Sequence, residues 1–151
     1  MIEQNEQFLQ QLKRHEGCSL EAYLCPSGVL TIGYGHNCEA RPVEGVRQVG
    51  DVINRARAMA LLVDDVVEAA RGLDVAVPWW REMDEARQGV LLNMAFNMGI
   101  PRLMGFKKAL GAMSIGDYAR AGTEMLDSKW AVQVKWRSAE LARQMVLGEW
   151  E

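Results

Sequence analysis

Glu16, Cys25 and Thr31 bring a carboxyl, a thiol and a hydroxyl near one another in the chain, with eight residues between the first two and five between the last two. Glu16 ends a stretch with helical spacing, Cys25 stands beside a turn signal, and Thr31 falls in a run of strand formers. If the strands fold back against the first helix, all three groups can face one cleft. A carboxyl shielded from water holds its proton toward neutrality and can deliver it to a leaving oxygen. Each residue also has a plainer reading. A helix-end Glu is ordinarily a solvated carboxylate. Gly33-Tyr34-Gly35-His36 reads equally as a tight strand exit in which glycine supplies backbone freedom.

The elements that must position these groups follow from periodicity and punctuation. Phe8, Leu9 and Leu12 predict a short helix over 2–16 that ends at Gly17. Pro26-Ser27-Gly28 signals a turn, and Val29, Leu30, Thr31, Ile32 and Tyr34 are strand formers, so 22–36 reads as a β-hairpin or small three-stranded sheet. Residues 37–50 carry Pro42 and Gly45 without a period and read as loop. Asp51 can cap a long helix running to Arg71 with Gly72 as its stop. Met83, Ala86, Val90, Leu91, Met94, Ala95 and Met98 repeat at three and four, with Gly99 and Pro101 closing a helix whose wide apolar face places it at the centre of a larger lobe. Residues 117–130 and 138–147 give two more helical stretches. The expected fold is α+β in a single domain over 1–151. A small sheet lobe (roughly 14–50) joins through a linking helix (51–71) to a larger all-helical lobe (72–151) packed with the N-terminal helix.

Composition bounds the remaining possibilities. In 151 residues, 49% are hydrophobic, enough for a core and too many for a disordered chain. No apolar run nears the ~20 residues of a membrane span. Residues 1–14 lack the basic start and apolar stretch of a signal peptide, so the expectation is synthesis in a cytoplasm without a membrane anchor. Three cysteines, an odd number, argue against a disulfide framework. A net charge of −3 does not suggest a nucleic-acid binder. Between Arg102 and Arg143, however, eight Lys or Arg face four Asp or Glu. That region reads either as an attractor of acidic polymer or as a solvated helical surface. Cys18, Cys25, His36 and Cys38 match no common zinc spacing, and neither a metal nor a cofactor is expected. Trp79-Trp80 after Pro78 reads as a packed loop in preference to a sugar-stacking platform.

Spacing and order together add a resemblance. Glu16, Cys25 and Thr31 at these intervals, followed by Leu30-Thr31-Ile32-Gly33-Tyr34-Gly35-His36, resemble the catalytic triad and strand exit of phage lysozymes of the T-even type. The likeness continues through Asp64-Asp65-Val66, Ala70-Arg71-Gly72, Leu92 to Gly99, Gly105-Phe106, Ser128-Lys129-Trp130, Arg137 and Gly148-Glu149-Trp150. It implies Glu16 as general acid and Thr31 as the residue that helps position the attacking water. It further implies Phe96 as a wall of the sugar-binding cleft, Arg137 as a basic residue approaching the acid from the helical lobe, and His36 with Asp65 as a partly buried ion pair. Asn37 and Glu124 stand where the family has other residue types, so no binding role is carried to them.

The resemblance implies a muramidase: hydrolysis, with inversion, of the β-1,4 bond between N-acetylmuramic acid and N-acetylglucosamine in bacterial peptidoglycan. A lytic transglycosylase and a non-catalytic glycan-binding module are the alternatives. The implied setting is a monomer in the host cytoplasm that reaches the cell wall, and so lyses the cell, through a separate holin-type permeabiliser. One departure bears on mechanism. The middle triad position is usually Asp and here is Cys25. A thiol with an ordinary pKa of about 8.5 is mostly neutral at pH 7 and stabilises positive charge fully only as the thiolate. Its other reading is a small buried hydrophobe that shapes the pocket.

Overall fold

Asn5 opens the first helix four residues later than the sequence reading has it: its side-chain oxygen accepts from the Phe8 N–H at 3.0 Å, satisfying one of the amides that a helix start leaves unpaired. In a computed structural model describing all 151 residues, α1 spans Glu6–Glu16, preceded by a single 3-10 turn over Ile2–Gln4. Lys13, Arg14 and His15 in its last turn suit the negative end of the helix dipole. Gly17, at φ +67, closes it with an N–H to Lys13 O bond of 2.9 Å.

Three antiparallel strands follow in the order β1 (Ser19–Leu24), β2 (Leu30–Gly33), β3 (His36–Asn37). Tyr23 pairs with Thr31 and Leu24 with Leu30, and a bulge interrupts the ladder between Ser19 and Tyr23. Thr31 and Ile32 pair with Asn37 and His36. The remaining helices are α2 (Arg55–Ala76), α3 (Glu85–Met98), α4 (Ile100–Leu103), α5 (Lys107–Ser114), α6 (Tyr118–Leu126), α7 (Lys129–Val134) and α8 (Trp136–Leu147). The class is α+β, as the periodicity predicts.

The chain divides into two compact units, one of residues 10–67 and one of residues 1–9 with 68–151. In the first, Ala22, Ile32, Cys38, Val43, Val46, Ile53 and Ala58 form a core under the sheet, with Leu20, Leu30, Tyr34 and Leu61 packed on it. In the second, Val90, Leu91, Leu92 and Met94 of α3 are fully buried. That matches the all-round burial its wide apolar face requires.

Several boundaries differ from the sequence reading. Asp51 does not cap α2; its carboxylate accepts from the Arg47 and Gln48 amides and closes a loop. Asn54 caps instead, accepting from Arg57 N at 2.8 Å. Gly72 does not stop the helix, which runs on to Ala76. A Cβ at Gly72 would stand 2.6 Å from Ile100 Cγ1, so glycine permits a close approach there. The stretch 117–130 is two helices, because Ser128 caps α7 through the Ala131 amide. α4 and α5 are too short, and their apolar positions too few, to show a period.

His36 ties the sheet to α2 inside the first unit. Its imidazole is 3% exposed, with Nδ1 at 2.7 Å from Asp65 Oδ2 and Nε2 at 2.8 Å from Arg41 O. Two acceptors face the two ring nitrogens, and a ring protonated at both satisfies both. The Asp65 hydrogen bond accordingly raises the His36 pKa above its ordinary 6.5, against the opposing effect of burial. A histidine pKa raised on folding contributes stability fully below the unfolded value and loses it as pH rises through the folded one. Asp65→Asn is therefore expected to lower the unfolding free energy by about 1–2 kcal/mol at about pH 5.5, with the deficit shrinking toward about pH 9. Urea unfolding of both proteins across that range measures it, and a deficit of constant size contradicts a charged pair.

Candidate functional site

Cys25 begins the turn that joins β1 to β2. Gly28 N–H donates to Cys25 O at 2.8 Å and Cys25 N–H to Val29 O at 3.0 Å, so both ends of the turn are held by backbone bonds. Pro26 presets the second position and Gly28, at φ +81, takes a conformation side chains disfavour. Cys25 is half-buried as a residue, and its sulfur, in an exposed contact, lies 2.9 Å from Ser27 Oγ. That hydroxyl is the largest cause lowering the thiol pKa from 9.0 to about 7; a hydrogen bond from Val29 N–H comes next, and Thr31 adds a smaller effect. At neutral pH the thiol is thus poised between its neutral and anionic forms, which an unperturbed cysteine is not.

Thr31 is buried on β2, and its hydroxyl donates to Val29 O at 2.8 Å. Its cross-strand partner is Tyr23, and residues paired directly across a ladder share a face. Desolvation raises the Tyr23 pKa, and negative charge on Glu16 and on Cys25 raises it further. Both groups therefore act on one phenol. Glu16 is half-buried at the end of α1. Gly35, at φ +74, brings bare backbone against it: a Cβ there would stand 3.1 Å from Glu16 Oε2. The strand exit thus has a steric reason for glycine beyond backbone freedom.

The first unit in this way gathers Glu16, Cys25 and Thr31 around the β1–β2 hairpin, with His36 and Asp65 behind them in the tie to α2. Tyr23 and Ser27 belong to the same constellation and were missed from the sequence. For Tyr23 a signal existed, since strand alternation puts residues 23 and 25 on one face. Ser27 had none beyond its turn propensity.

Phe96 and Arg137 lie in the other unit. Phe96 is half-buried on α3. Arg137 is 6% exposed near the start of α8, and its Nε and Nη2 donate to Asn93 Oδ1 at 3.1 and 2.7 Å. Neither lines a groove of ≈ 480 Å³ in that unit bounded by residues that include Phe106, Lys107, Lys108, Glu124 and Trp130, nor one of ≈ 500 Å³ bounded by residues that include Leu126, Arg143 and Val146. Trp130 packs edge-on to Phe106 and donates from Nε1 to Asn97 Oδ1 at 2.7 Å. Trp80 is fully buried and donates to Asp74, as a packed-loop residue does.

The family model described as Phage lysozyme matches residues 13–144. Among curated proteins, the chain is 31% identical over 129 residues to a protein named Endolysin from Acyrthosiphon pisum secondary endosymbiont phage 1, covering 84% of this chain and 79% of that one. It is 27% identical over 148 residues to Probable T4-type lysozyme 1 of Dictyostelium discoideum, covering 84% of this chain and 86% of that one. It is also 28% identical over 165 residues to the Pre-baseplate central spike protein Gp5 of Enterobacteria phage T4. That alignment takes in 97% of this chain, which spans only 29% of the spike protein's length. With the match running from the first helix into α8, the chain belongs to the phage lysozyme family.

Proposed function

We propose that this protein is a muramidase that hydrolyses the β-1,4 bond between N-acetylmuramic acid and N-acetylglucosamine in bacterial peptidoglycan, with Glu16 as proton donor. The observation that carries this reading is the hairpin constellation: one carboxyl, one poised thiol and one oriented hydroxyl around a short sheet, with the Gly35 backbone laid against the carboxyl. Glu16 protonates the glycosidic oxygen as the bond to the leaving sugar breaks. Positive charge then develops at the anomeric carbon, and Cys25 as thiolate stabilises it. Thr31 donates to Val29 O, which leaves its oxygen lone pairs as acceptors. A water donating to that oxygen is held to attack the anomeric carbon from the side opposite the leaving group, which inverts the centre. The attacking water releases a proton to solvent as it bonds to carbon, and one returns from solvent to the Glu16 carboxylate, so the products have gained one water.

By their resemblance to the family's residues, Phe96 and Arg137 are assigned to substrate binding in this reading. The likeness to a phage protein named Endolysin supports a role in lysing the host cell. The enzyme acts as a monomer there, and reaches the wall from the cytoplasm once a separate permeabiliser has opened the membrane.

Glu16→Gln keeps the shape of the side chain and removes its acid, so lysis of permeabilised cells is expected to fall by about 10²–10⁴-fold with the fold intact. A loss below about tenfold removes Glu16 from the acid role. Product masses check the reaction: saccharide ends that lack one water identify a transglycosylase, and cell-wall binding without any cleavage identifies a non-catalytic binder.

Cys25 makes a separate prediction. With the thiol pKa near 7, the lysis rate should rise through that pH as the thiolate forms. Cys25→Ser leaves a neutral hydroxyl and should cost on the order of 10²-fold. Cys25→Asp should keep activity and move the acid limb down toward about pH 4, where an aspartate ionises. Lysis rates of the three proteins across the pH range measure this. A well-folded Cys25→Ala with full activity makes the residue a spacer and leaves Glu16 and Thr31 to carry the reaction.

A further inference from the structure

The two hydroxyls beside the Cys25 sulfur are not equivalent. Thr31 has one proton, and it points to the Val29 carbonyl at 2.8 Å. Ser27 Oγ lies 2.9 Å from the sulfur. In the thiol form either atom of that contact can donate. In the thiolate form the sulfur has no proton, so the serine hydroxyl must be the donor. The turn supplies more of the same kind. The backbone of Val29 and, to a lesser degree, of Ser27 also favours negative charge on the sulfur, while the Gly28 amide between them donates to Cys25 O at 2.8 Å. This arrangement depends on the turn conformation that Pro26 and Gly28 enforce, because it brings residues 27 and 29 back over residue 25.

We propose that Ser27 is a positioning residue of this site, its hydroxyl donating to the Cys25 sulfur and holding it as the thiolate. The proposal rests on the catalytic reading of Cys25 given above. It assigns the position after Pro26 a task that a carboxylate in place of Cys25 would not need, since a carboxylate is charged without help. The ionisable groups sharing this face of the unit are Tyr23 on β1 and Glu16 at the end of α1. Neither can supply positive charge, and the causes that lower the thiol pKa are hydrogen bonds, that of the Ser27 hydroxyl first. The lowered thiol pKa, with Ser27 as its largest cause, agrees with that geometry.

The experiment follows alkylation of Cys25 by iodoacetamide between about pH 5 and pH 10 in the full chain, resolved by peptide mass so that Cys18 and Cys38 are read separately. Ser27 is exposed in the turn, so Ser27→Ala and Ser27→Thr should both fold. In Ser27→Ala the midpoint of Cys25 alkylation should move up by about one pH unit, toward that of an ordinary cysteine. In Ser27→Thr, which restores a hydroxyl, it should return toward the wild-type value, and the Cys18 rate should stay unchanged in both. An unmoved Cys25 midpoint in Ser27→Ala overturns the proposal, as does an equal shift in the Thr variant. The lysis profile tests the catalytic reading independently. Its acid limb should move up with the alkylation midpoint in Ser27→Ala, with the rate recovering at alkaline pH. A moved midpoint with an unmoved lysis profile supports the Ser27–Cys25 pairing and removes the thiolate from the reaction.

Discussion

Everything in the sheet-bearing unit depends on one buried imidazole. His36 is taken out of water with both ring nitrogens facing acceptors, a carboxylate on one side and a backbone carbonyl on the other. A buried polar group without partners costs several kcal/mol, so the ring holds both partners in place as firmly as they hold it. Asp65 sits on α2 and Arg41 in the loop beyond β3, and Arg41 closes the set with its own contact to Asp65 at 3.4 Å. β3 is only two residues long and could not fix its register by ladder bonds alone. The His36 tie does so. Because side chains alternate across a strand, a slip of one residue in β3 would turn His36 away from Asp65 and set Asn37 in its place.

Given that register, the site is built mostly from backbone. Gly33 and Gly35 both have positive φ, which lets the chain leave β2 and re-enter β3 within two residues. The same economy puts peptide, with no side chain between, against the Glu16 carboxyl. The turn at Cys25 uses amides in place of cationic side chains to favour negative charge on sulfur. A thiol in an aspartate's position trades intrinsic charge for charge lent by its surroundings. In the proposed reaction its neighbours therefore set its charge, which a carboxylate would carry unaided.

The helical unit follows a different constraint, close packing around α3. Gly89 and Gly122 are buried where a Cβ would stand 2.6 Å from the Trp150 ring and 2.5 Å from Val146. Helices and the C-terminal tail approach there more closely than any side chain allows. Interiors packed at crystal-like density tolerate no such addition without displacement. Arg137 is drawn into this interior by Asn93, a fully buried side chain that offers its carbonyl oxygen to the guanidinium.

What the residues alone determined is considerable. Helical spacing marked α1 and α3, strand formers around Pro26-Ser27-Gly28 marked the hairpin, and the order of motifs marked the family. Those signals are local, or collinear with the chain, and need no knowledge of what packs against what. The ends of α2 were misread because Asp51 and Gly72 carry cap and stop signals that tertiary contacts override: Asp51 is consumed by its own loop, and Gly72 is required by Ile100. The contributions of Ser27 and Gly35 were equally out of reach. Each depends on distances between groups, set by register, turn geometry and the path of the chain after β2, and a sequence prints residue types without their separations. The state of Cys25 is the clearest case. Its side chain alone predicts a neutral thiol at pH 7, and only the hydroxyls and amides gathered around it by the folded turn bring it near its ionisation point.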